Sequence, residues 1–153
     1  MTDMTGQPAP DFTLPSTEGD VTLSALKGSK VVLFFYPRDD TSGCTKENEE
    51  FSALQSAFAE AGTRVYGISK DSLASHEKFM KKKSLTVPLL TDEESDVCEK
   101  FGVWAEKSMY GKTYMGIERS TFLIDAEGRI AREWRKVKVP GHAAEVLEAA
   151  RAP

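Results

Sequence analysis

Residues 31–44 read Val-Val-Leu-Phe-Phe-Tyr-Pro-Arg-Asp-Asp-Thr-Ser-Gly-Cys, an apolar run that ends in a short polar loop and a cysteine. The apolar run is β-rich and shows no alternation, which predicts a strand covered on both faces. Beyond the loop, apolar side chains recur at steps of three and four, as on one helix face: Phe51, Leu54, Phe58 and Ala61. Gly62 is expected to end that helix. Cys44 is thus expected where a helix begins, and unpaired backbone N–H groups and the helix dipole favour a thiolate there.

Predicted strands and helices alternate along the rest of the chain. Short β-rich runs predict strands at residues 11–15, 21–23, 64–69, 88–90, 120–125 and 129–134. Helical spacing predicts helices at residues 73–83, around Val97, Cys98 and Phe101, and after Pro140-Gly141. The last two strands flank a turn at residues 126–128 and are expected to form a hairpin. This order of elements is typical of an α/β fold with a mixed central β-sheet flanked by helices.

Composition predicts one domain that spans residues 1–153, because 153 residues with 40% hydrophobic content can build a sizeable core. The net charge of −4 argues against a nucleic acid partner, and the basic runs at 81–83 and 132–138 are expected to be solvated faces. No run approaches the ~20 apolar residues that span a bilayer, and the N-terminal residues show no secretory signal. Two cysteines without metal-type spacing to a histidine predict a reducing, cytoplasmic setting.

The loop and several distant segments carry a family pattern. Pro37, Thr41 and Cys44 match the motif Pro-x-x-x-Thr-x-x-Cys, Glu47 follows one turn later, and Arg119 lies in Gly-Ile-Glu-Arg-Ser-Thr-Phe. Flanking matches cover residues 8–15, 101–107 and 110–114. In these features the chain resembles the peroxiredoxins, most closely the bacterioferritin-comigratory, or Q-type, branch. The resemblance implies a thioredoxin-like fold and an antioxidant peroxidase that reduces hydrogen peroxide and organic hydroperoxides with thiols.

The matched residues suit this chemistry. The Cys44 thiolate is expected to attack a peroxide oxygen and become a sulfenic acid. Arg119 is expected to stabilise the thiolate and the charge on the departing oxygen, and Glu47 to hold the guanidinium. Thr41 is expected to bind the peroxide or the thiolate, and Pro37 to stiffen the loop and shield the sulfur. Each residue taken singly also has a purely structural interpretation. Thr41 could cap the helix and Glu47 could complement the helix dipole. Arg119 could be a surface strand residue, and Pro37 could end a strand.

Two departures from the family pattern concern the second thiol. Related proteins place a resolving cysteine five residues after the first or in the next helix, and this chain has Glu49 and Met80 there. Cys98 shares an apolar helix face, which favours a packed thiol over a resolving role. We therefore expect a one-cysteine cycle, with a Cys44–Cys98 disulfide cycle and a peroxide sensor of little turnover as alternatives.

A further departure lies in the Cys44 loop. Ser42 replaces a proline that is common in the family, and this change is expected to loosen the loop slightly.

The remaining expectations concern partners and neighbouring residues. Glutathione, thioredoxin or a glutaredoxin-type protein would reduce the oxidised cysteine, and no metal, flavin or nucleotide cofactor is expected. His76 is expected to be a partly exposed helix residue, and His142 to lie in the first turn of the last helix. Four side chains around a glycine loop are expected to pack near the site: Met109, Tyr110, Tyr114 and Met115. A monomer is expected, with residues 109–117 as a possible dimer contact.

Overall fold

A mixed α/β architecture is found in the computed structural model, which describes residues 3–152. The strands are β1 (Thr13–Leu14), β2 (Val21–Thr22), β3 (Lys30–Phe35), β4 (Thr63–Ser69), β5 (Leu89–Thr91), β6 (Trp104–Met109), β7 (Lys112–Ile117), β8 (Ser120–Ile124) and β9 (Ile130–Arg135). The helices are α1 (Ser42–Ala53), α2 (Gln55–Glu60), α3 (Leu73–Lys83), α4 (Val97–Lys100) and α5 (His142–Arg151). Helix α3 has the bounds that the sequence predicts. None of the helices within residues 3–152 has the length and hydropathy of a membrane span.

Five strands form the central sheet in the order β5-β4-β3-β8-β9. Strands β3, β4 and β5 run parallel, whereas β8 is antiparallel to both β3 and β9. The predicted mixed sheet is therefore confirmed, and β8 and β9 form the predicted hairpin. Because β8 runs against β3, Ser120 at the start of β8 pairs with Phe35 at the end of β3. Residues that follow β3 and residues that precede β8 thus meet at one edge of the sheet.

The sheet divides the hydrophobic core into two halves. Along β3, Val31, Leu33 and Phe35 point to one half, and their neighbours Val32, Phe34 and Tyr36 point to the other. This follows from the period of two in a strand, and it explains why the run is continuously apolar. Cys98 packs in the first half and Cys44 in the second. The two thiols therefore lie on opposite faces of the sheet.

The helix after Cys44 differs from the prediction in one respect. The pattern predicts one helix up to Gly62, but it is interrupted at Leu54 and continues as α2. The backbone N–H of Leu54 bonds to the carbonyl of Phe51, a tighter turn than an α-helix makes. Gly62 has a φ of 67° and ends the second helix as predicted.

Residues 104–117 form a hairpin of β6 and β7, whereas the sequence predicted a loop at residues 109–117. Its turn is made by Tyr110 and Gly111, which both have positive φ, as a two-residue hairpin turn requires. Met109, Tyr110, Tyr114 and Met115 are exposed on it. These side chains are therefore exposed rather than packed.

A substitution at Gly67 tests how tightly the sheet packs. A Cβ there would lie 2.8 Å from carbons of both Phe34 and Leu89, which are fully buried. We expect Gly67→Ala to lower the free energy of unfolding by about 1–3 kcal/mol in urea denaturation, because overpacking forces neighbours to shift. Gly116→Ala is the matched strand control, since its nearest neighbour is the flexible Lys107 side chain at 3.3 Å. Equal stabilities of the two variants would contradict this packing.

Candidate active site

Cys44 is the third residue of α1 and only 1% exposed. Its sulfur accepts a hydrogen bond of 3.3 Å from Nη2 of Arg119, a residue 75 positions further along the chain. The two residues meet because Cys44 follows β3 and Arg119 directly precedes β8, its antiparallel neighbour. A guanidinium and the N-terminal turn of a helix thus face the same sulfur, and each presents positive charge to it.

Glu47 holds the other side of the guanidinium. It lies one turn after Cys44 in α1, and its Oε1 accepts a hydrogen bond of 2.6 Å from Nη1 of Arg119. The Glu47 side chain is 1% exposed, so little water screens this ion pair. Arg119 therefore bridges a carboxylate and a sulfur with two nitrogens of one rigid planar group.

The electrostatics of this group are those of buried charges. Burial raises the pKa of Glu47 to about 7, although the Arg119 guanidinium opposes the shift. Its second oxygen, Oε2, contacts no hydrogen-bond donor among the described residues. For Arg119, burial alone would lower the pKa, but Glu47 and Cys44 together raise it, so the guanidinium remains charged. Burial and the charge of Arg119 lower the pKa of Lys107 in β6, which brings a second cation to this region.

Two further residues support Cys44 that the sequence motif did not single out for a role. A Cβ on Gly43 would lie 3.2 Å from Nη2 of Arg119, so the glycine gives the guanidinium room to reach the sulfur. Asn48 is fully buried, and its Nδ2 donates a hydrogen bond of 2.9 Å to the carbonyl of Cys44. The only signal for Gly43 was its place directly before the cysteine, and Asn48 carried none.

Thr41 and Pro37 lie in the segment that leads to Cys44. Thr41 occupies the N-cap position of α1, yet its hydroxyl does not cap the helix. Instead Oγ1 donates a hydrogen bond of 2.9 Å to the carbonyl of Arg38. The interpretation of Thr41 as a simple side-chain cap is therefore wrong. Pro37 lies two residues after the end of β3 and is half-buried.

Cys98 occupies a different environment from Cys44. It is fully buried in α4, and its backbone N–H donates a hydrogen bond of 2.8 Å to Oδ2 of Asp92. Burial, together with the Asp92 carboxylate, raises the pKa of its thiol far above the usual value. A thiol of this kind is a weak source of thiolate.

His76 differs most from its prediction. It is fully buried rather than partly exposed, and it has partners: Nδ1 lies 2.8 Å from Oδ2 of Asp39, and Nε2 lies 2.9 Å from the carbonyl oxygen of Leu90. Within residues 3–152, Asp39, Asp71 and His76 form a group of the kind that could hold a metal ion. Their carboxylate oxygens and imidazole nitrogen all lie within 4.8 Å of one another. Those atoms already bond to protein groups, so the cluster is a hydrogen-bonded network.

His142 is the first residue of α5, as predicted, but it also has a partner. Its Nε2 lies 2.8 Å from Oγ1 of Thr121 in β8. Burial lowers the pKa of His142 to about 4, and the nearby Arg119 guanidinium acts in the same direction. The ring is therefore neutral at physiological pH.

The buried thiol lies where a strand end, a helix N-terminus and a remote arginine meet, and this arrangement places the protein among the thiol-dependent oxidoreductases. Comparisons with known proteins narrow this class. The model of the AhpC/TSA family matches residues 5–133. A putative peroxiredoxin Bcp of Coxiella burnetii is 54% identical over 93% of this chain and 95% of its own, and the peroxiredoxin Bcp of Bacillus subtilis is 50% identical over 97% and 95%.

Solved structures agree with these relatives. The peroxiredoxin Q of Xanthomonas campestris matches with a TM-score of 0.87 and 45% identity, over 92% of this chain and 89% of that one. A second structure, of a bacterioferritin comigratory protein from the same organism described with alkyl peroxide reduction activity, matches with a TM-score of 0.86 and 45% identity, over 92% and 90%. The chain belongs to the AhpC/TSA family, and within it to the peroxiredoxins of the Bcp type. It is a thiol-dependent peroxidase with a thioredoxin-like fold.

The raised pKa of Glu47 predicts a pH dependence of stability. Between its ordinary value of 4.5 and the folded value of about 7, the folded protein keeps a proton that the unfolded chain releases. The contribution of Glu47 to stability is thus complete below pH 4.5 and lost as the pH rises through 7. The quantity to measure is the free energy of unfolding of the wild type minus that of Glu47→Gln. We expect this difference to fall by on the order of 3 kcal/mol over this pH range.

Urea denaturation at several pH values measures this difference. Glu49→Gln is the control, because Glu49 lies in the same helix but is exposed. Its difference curve should stay flat over the range where the Glu47 curve falls. A difference for Glu47→Gln that rises with pH would show that its folded pKa is lowered instead.

Proposed function

We propose that Cys44 is the residue that reacts with the hydroperoxide. The contact between Arg119 and the Cys44 sulfur supports this assignment most directly. The thiolate attacks the terminal oxygen of the hydroperoxide, an S–O bond forms and the O–O bond breaks. The sulfur is oxidised to a sulfenic acid, and the departing alkoxide or hydroxide takes up a proton and leaves as an alcohol or water. The activity described for the Xanthomonas campestris relative supports organic hydroperoxides among the substrates.

Four other residues have proposed roles in this step. Arg119 stabilises the thiolate and the negative charge that grows on the departing oxygen, and Glu47 keeps the guanidinium in place. Thr41 donates its hydroxyl hydrogen to the carbonyl of Arg38, which leaves the oxygen lone pairs free to accept a hydrogen bond from the peroxide. Pro37 limits the motion of the segment and shields the sulfur from water.

The second half of the proposed cycle uses an external thiol. Two thiols reduce the sulfenic acid to the Cys44 thiol and give one disulfide and water. Cys98 is a poor resolving residue because the sheet separates it from Cys44 and its thiol stays protonated. Of the two positions where relatives carry a resolving cysteine, Glu49 is exposed and Met80 half-buried, and neither is a thiol. Glutathione, thioredoxin or a glutaredoxin-type protein would supply the thiols in a reducing, cytoplasmic compartment. The protein would act there as a monomer of one domain.

Intact mass separates the one-cysteine cycle from an internal disulfide. After one equivalent of hydrogen peroxide, we expect wild type and Cys98→Ser to gain about 16 mass units each, because the sulfenic acid has no partner thiol within reach. Cys44→Ser should gain nothing and should not consume peroxide. A loss of about 2 mass units in wild type alone would mean a Cys44–Cys98 disulfide and overturn the one-cysteine cycle.

Replacement of Arg119 tests the electrostatic role. A lysine keeps the positive charge but not the two nitrogens that reach the sulfur and the carboxylate together. We expect Arg119→Lys to lower the second-order rate constant for peroxide reduction by on the order of 100-fold, as measured by stopped-flow fluorescence. Arg64→Lys, on an exposed position of β4, is the control. Wild-type rates for Arg119→Lys would leave the guanidinium without a role in the reaction.

A further inference from the structure

A buried polar network lies beneath the segment that leads to Cys44, and His76 is its centre. The ring is fully buried, and each of its nitrogens faces an oxygen: Oδ2 of Asp39 at 2.8 Å and the carbonyl of Leu90 at 2.9 Å. A backbone carbonyl only accepts hydrogen bonds, so Nε2 must carry a hydrogen. One further proton lies between Nδ1 and Asp39.

The surroundings of Asp39 decide where that further proton resides. Oδ1 accepts a hydrogen bond of 2.6 Å from the Tyr36 hydroxyl, and Oδ2 accepts one of 2.8 Å from the hydroxyl of Ser75. Burial and the Asp39 carboxylate hold the pKa of Tyr36 well above its usual value, so the phenol keeps its hydrogen and donates it. Two hydroxyls and the His76 ring thus converge on one carboxylate, which is the arrangement of a carboxylate paired with an imidazolium.

This pair connects the Cys44 segment to α3, which carries His76, and to β5, which carries Leu90. Four residues separate Asp39 from Cys44, and the backbone N–H of Asp39 is itself held by Oδ2 of Asp71 at 2.9 Å. The neighbouring Asp40 has a φ of 58°, a left-handed conformation that costs energy in a residue other than glycine. Its own contact, a 2.7 Å pair with Lys82, is exposed and weak. The buried pair thus restrains a strained turn together with the contact from Asp71.

We propose that His76 is a cationic positioning residue, which acts through Asp39 to hold residues 37–41 so that the Cys44 sulfur meets Arg119. Arg119 restrains the sulfur from the β8 side, and His76 restrains the preceding segment from α3 and β5. This inference rests on the proposed role of Cys44 as the residue that reacts with peroxide. His76 itself touches neither the sulfur nor the site of the peroxide.

Two substitutions separate the partners of His76. Glutamine places its amide nitrogen near the position of Nε2, so His76→Gln keeps a donor for Leu90 and removes the one for Asp39. Asparagine places its nitrogen near the position of Nδ1, so His76→Asn keeps a donor for Asp39 and loses Leu90. A positioning role through Asp39 predicts that asparagine rescues much of the activity that glutamine loses.

Three rates distinguish misplacement of Cys44 from general unfolding. They are oxidation of Cys44 by hydrogen peroxide, alkylation of Cys44 by iodoacetamide and alkylation of Cys98, with the sites assigned by mass spectrometry. We expect His76→Gln to react with peroxide on the order of 100-fold more slowly and His76→Asn to stay within about tenfold of wild type. In His76→Gln, alkylation of Cys44 should become faster, because its segment loosens, while Cys98 in the other half of the core stays protected.

Several outcomes would overturn the proposal. Wild-type peroxide and alkylation rates in His76→Gln would show that the pair does not position Cys44. Joint alkylation of both cysteines would show that His76 only stabilises the whole fold. Ser75→Ala is a milder variant, because it removes one donor from Asp39 but leaves the pair with His76. It should shift the Cys44 rates in the same directions while Cys98 stays protected. Unchanged Cys44 rates in Ser75→Ala would count against the proposal.

A spectroscopic measurement on the wild-type protein tests the charge itself. The ¹⁵N resonances of the His76 ring should show a hydrogen on both nitrogens at neutral pH, and one bare nitrogen would exclude the imidazolium. His142, whose ring is neutral, serves as the internal reference for that state. If wild-type Cys44 does not react with peroxide, the proposed function fails, but the resonances of His76 still report whether the ion pair exists.

Discussion

The contact between the Arg119 guanidinium and the Cys44 sulfur is the interaction on which the site depends. Formation of a thiolate is not enough by itself. For any cysteine, a fall in pKa from ~8.5 to ~6 raises the ionised fraction at neutral pH about 30-fold, but the weaker base forfeits about 13-fold in nucleophilicity. The net gain is only about twofold, so geometry and charge around the reacting oxygens must supply the rest. The Arg119 guanidinium brings such a charge to within 3.3 Å of the sulfur.

Several parts of the fold serve that contact, and they carry a cost. Glu47 and Arg119 are charges taken out of water, and the raised pKa of Glu47 reports the free energy that its ionised form requires. Gly43 leaves space for the guanidinium, and Asn48 ties the backbone of Cys44 into α1. On the other side, Asp39 and His76 are a second buried pair next to a strained turn. Two buried pairs, Glu47–Arg119 and Asp39–His76, therefore join the Cys44 helix and the segment before it to other elements of the fold.

The sequence predicted those parts of the site that depend on local spacing. Cys44 and Glu47 share one helix turn, and the strand before them is visible as a continuous apolar run. Arg119 was predicted only through the family pattern, since nothing local marks an arginine before a strand. His76 was predicted wrongly because its partners lie 37 and 14 residues away, so only the tertiary fold brings them together. The hairpin of β6 and β7 was missed because its turn uses Tyr110 where asparagine or aspartate is usual.

The two cysteines show that the electrostatic surroundings of a thiol depend on the face of the sheet on which it lies. Cys44 follows the C-terminal end of β3, at the start of a helix and beside a cation, so positive charge faces its sulfur. Cys98 is buried on the opposite face beside the Asp92 carboxylate, and there a negative sulfur would meet like charge without solvent to screen it. Both thiols are almost completely buried, yet the Cys44 sulfur faces a guanidinium and the Cys98 sulfur faces a carboxylate. Which charge each sulfur meets is set by the elements that the sheet topology brings to it.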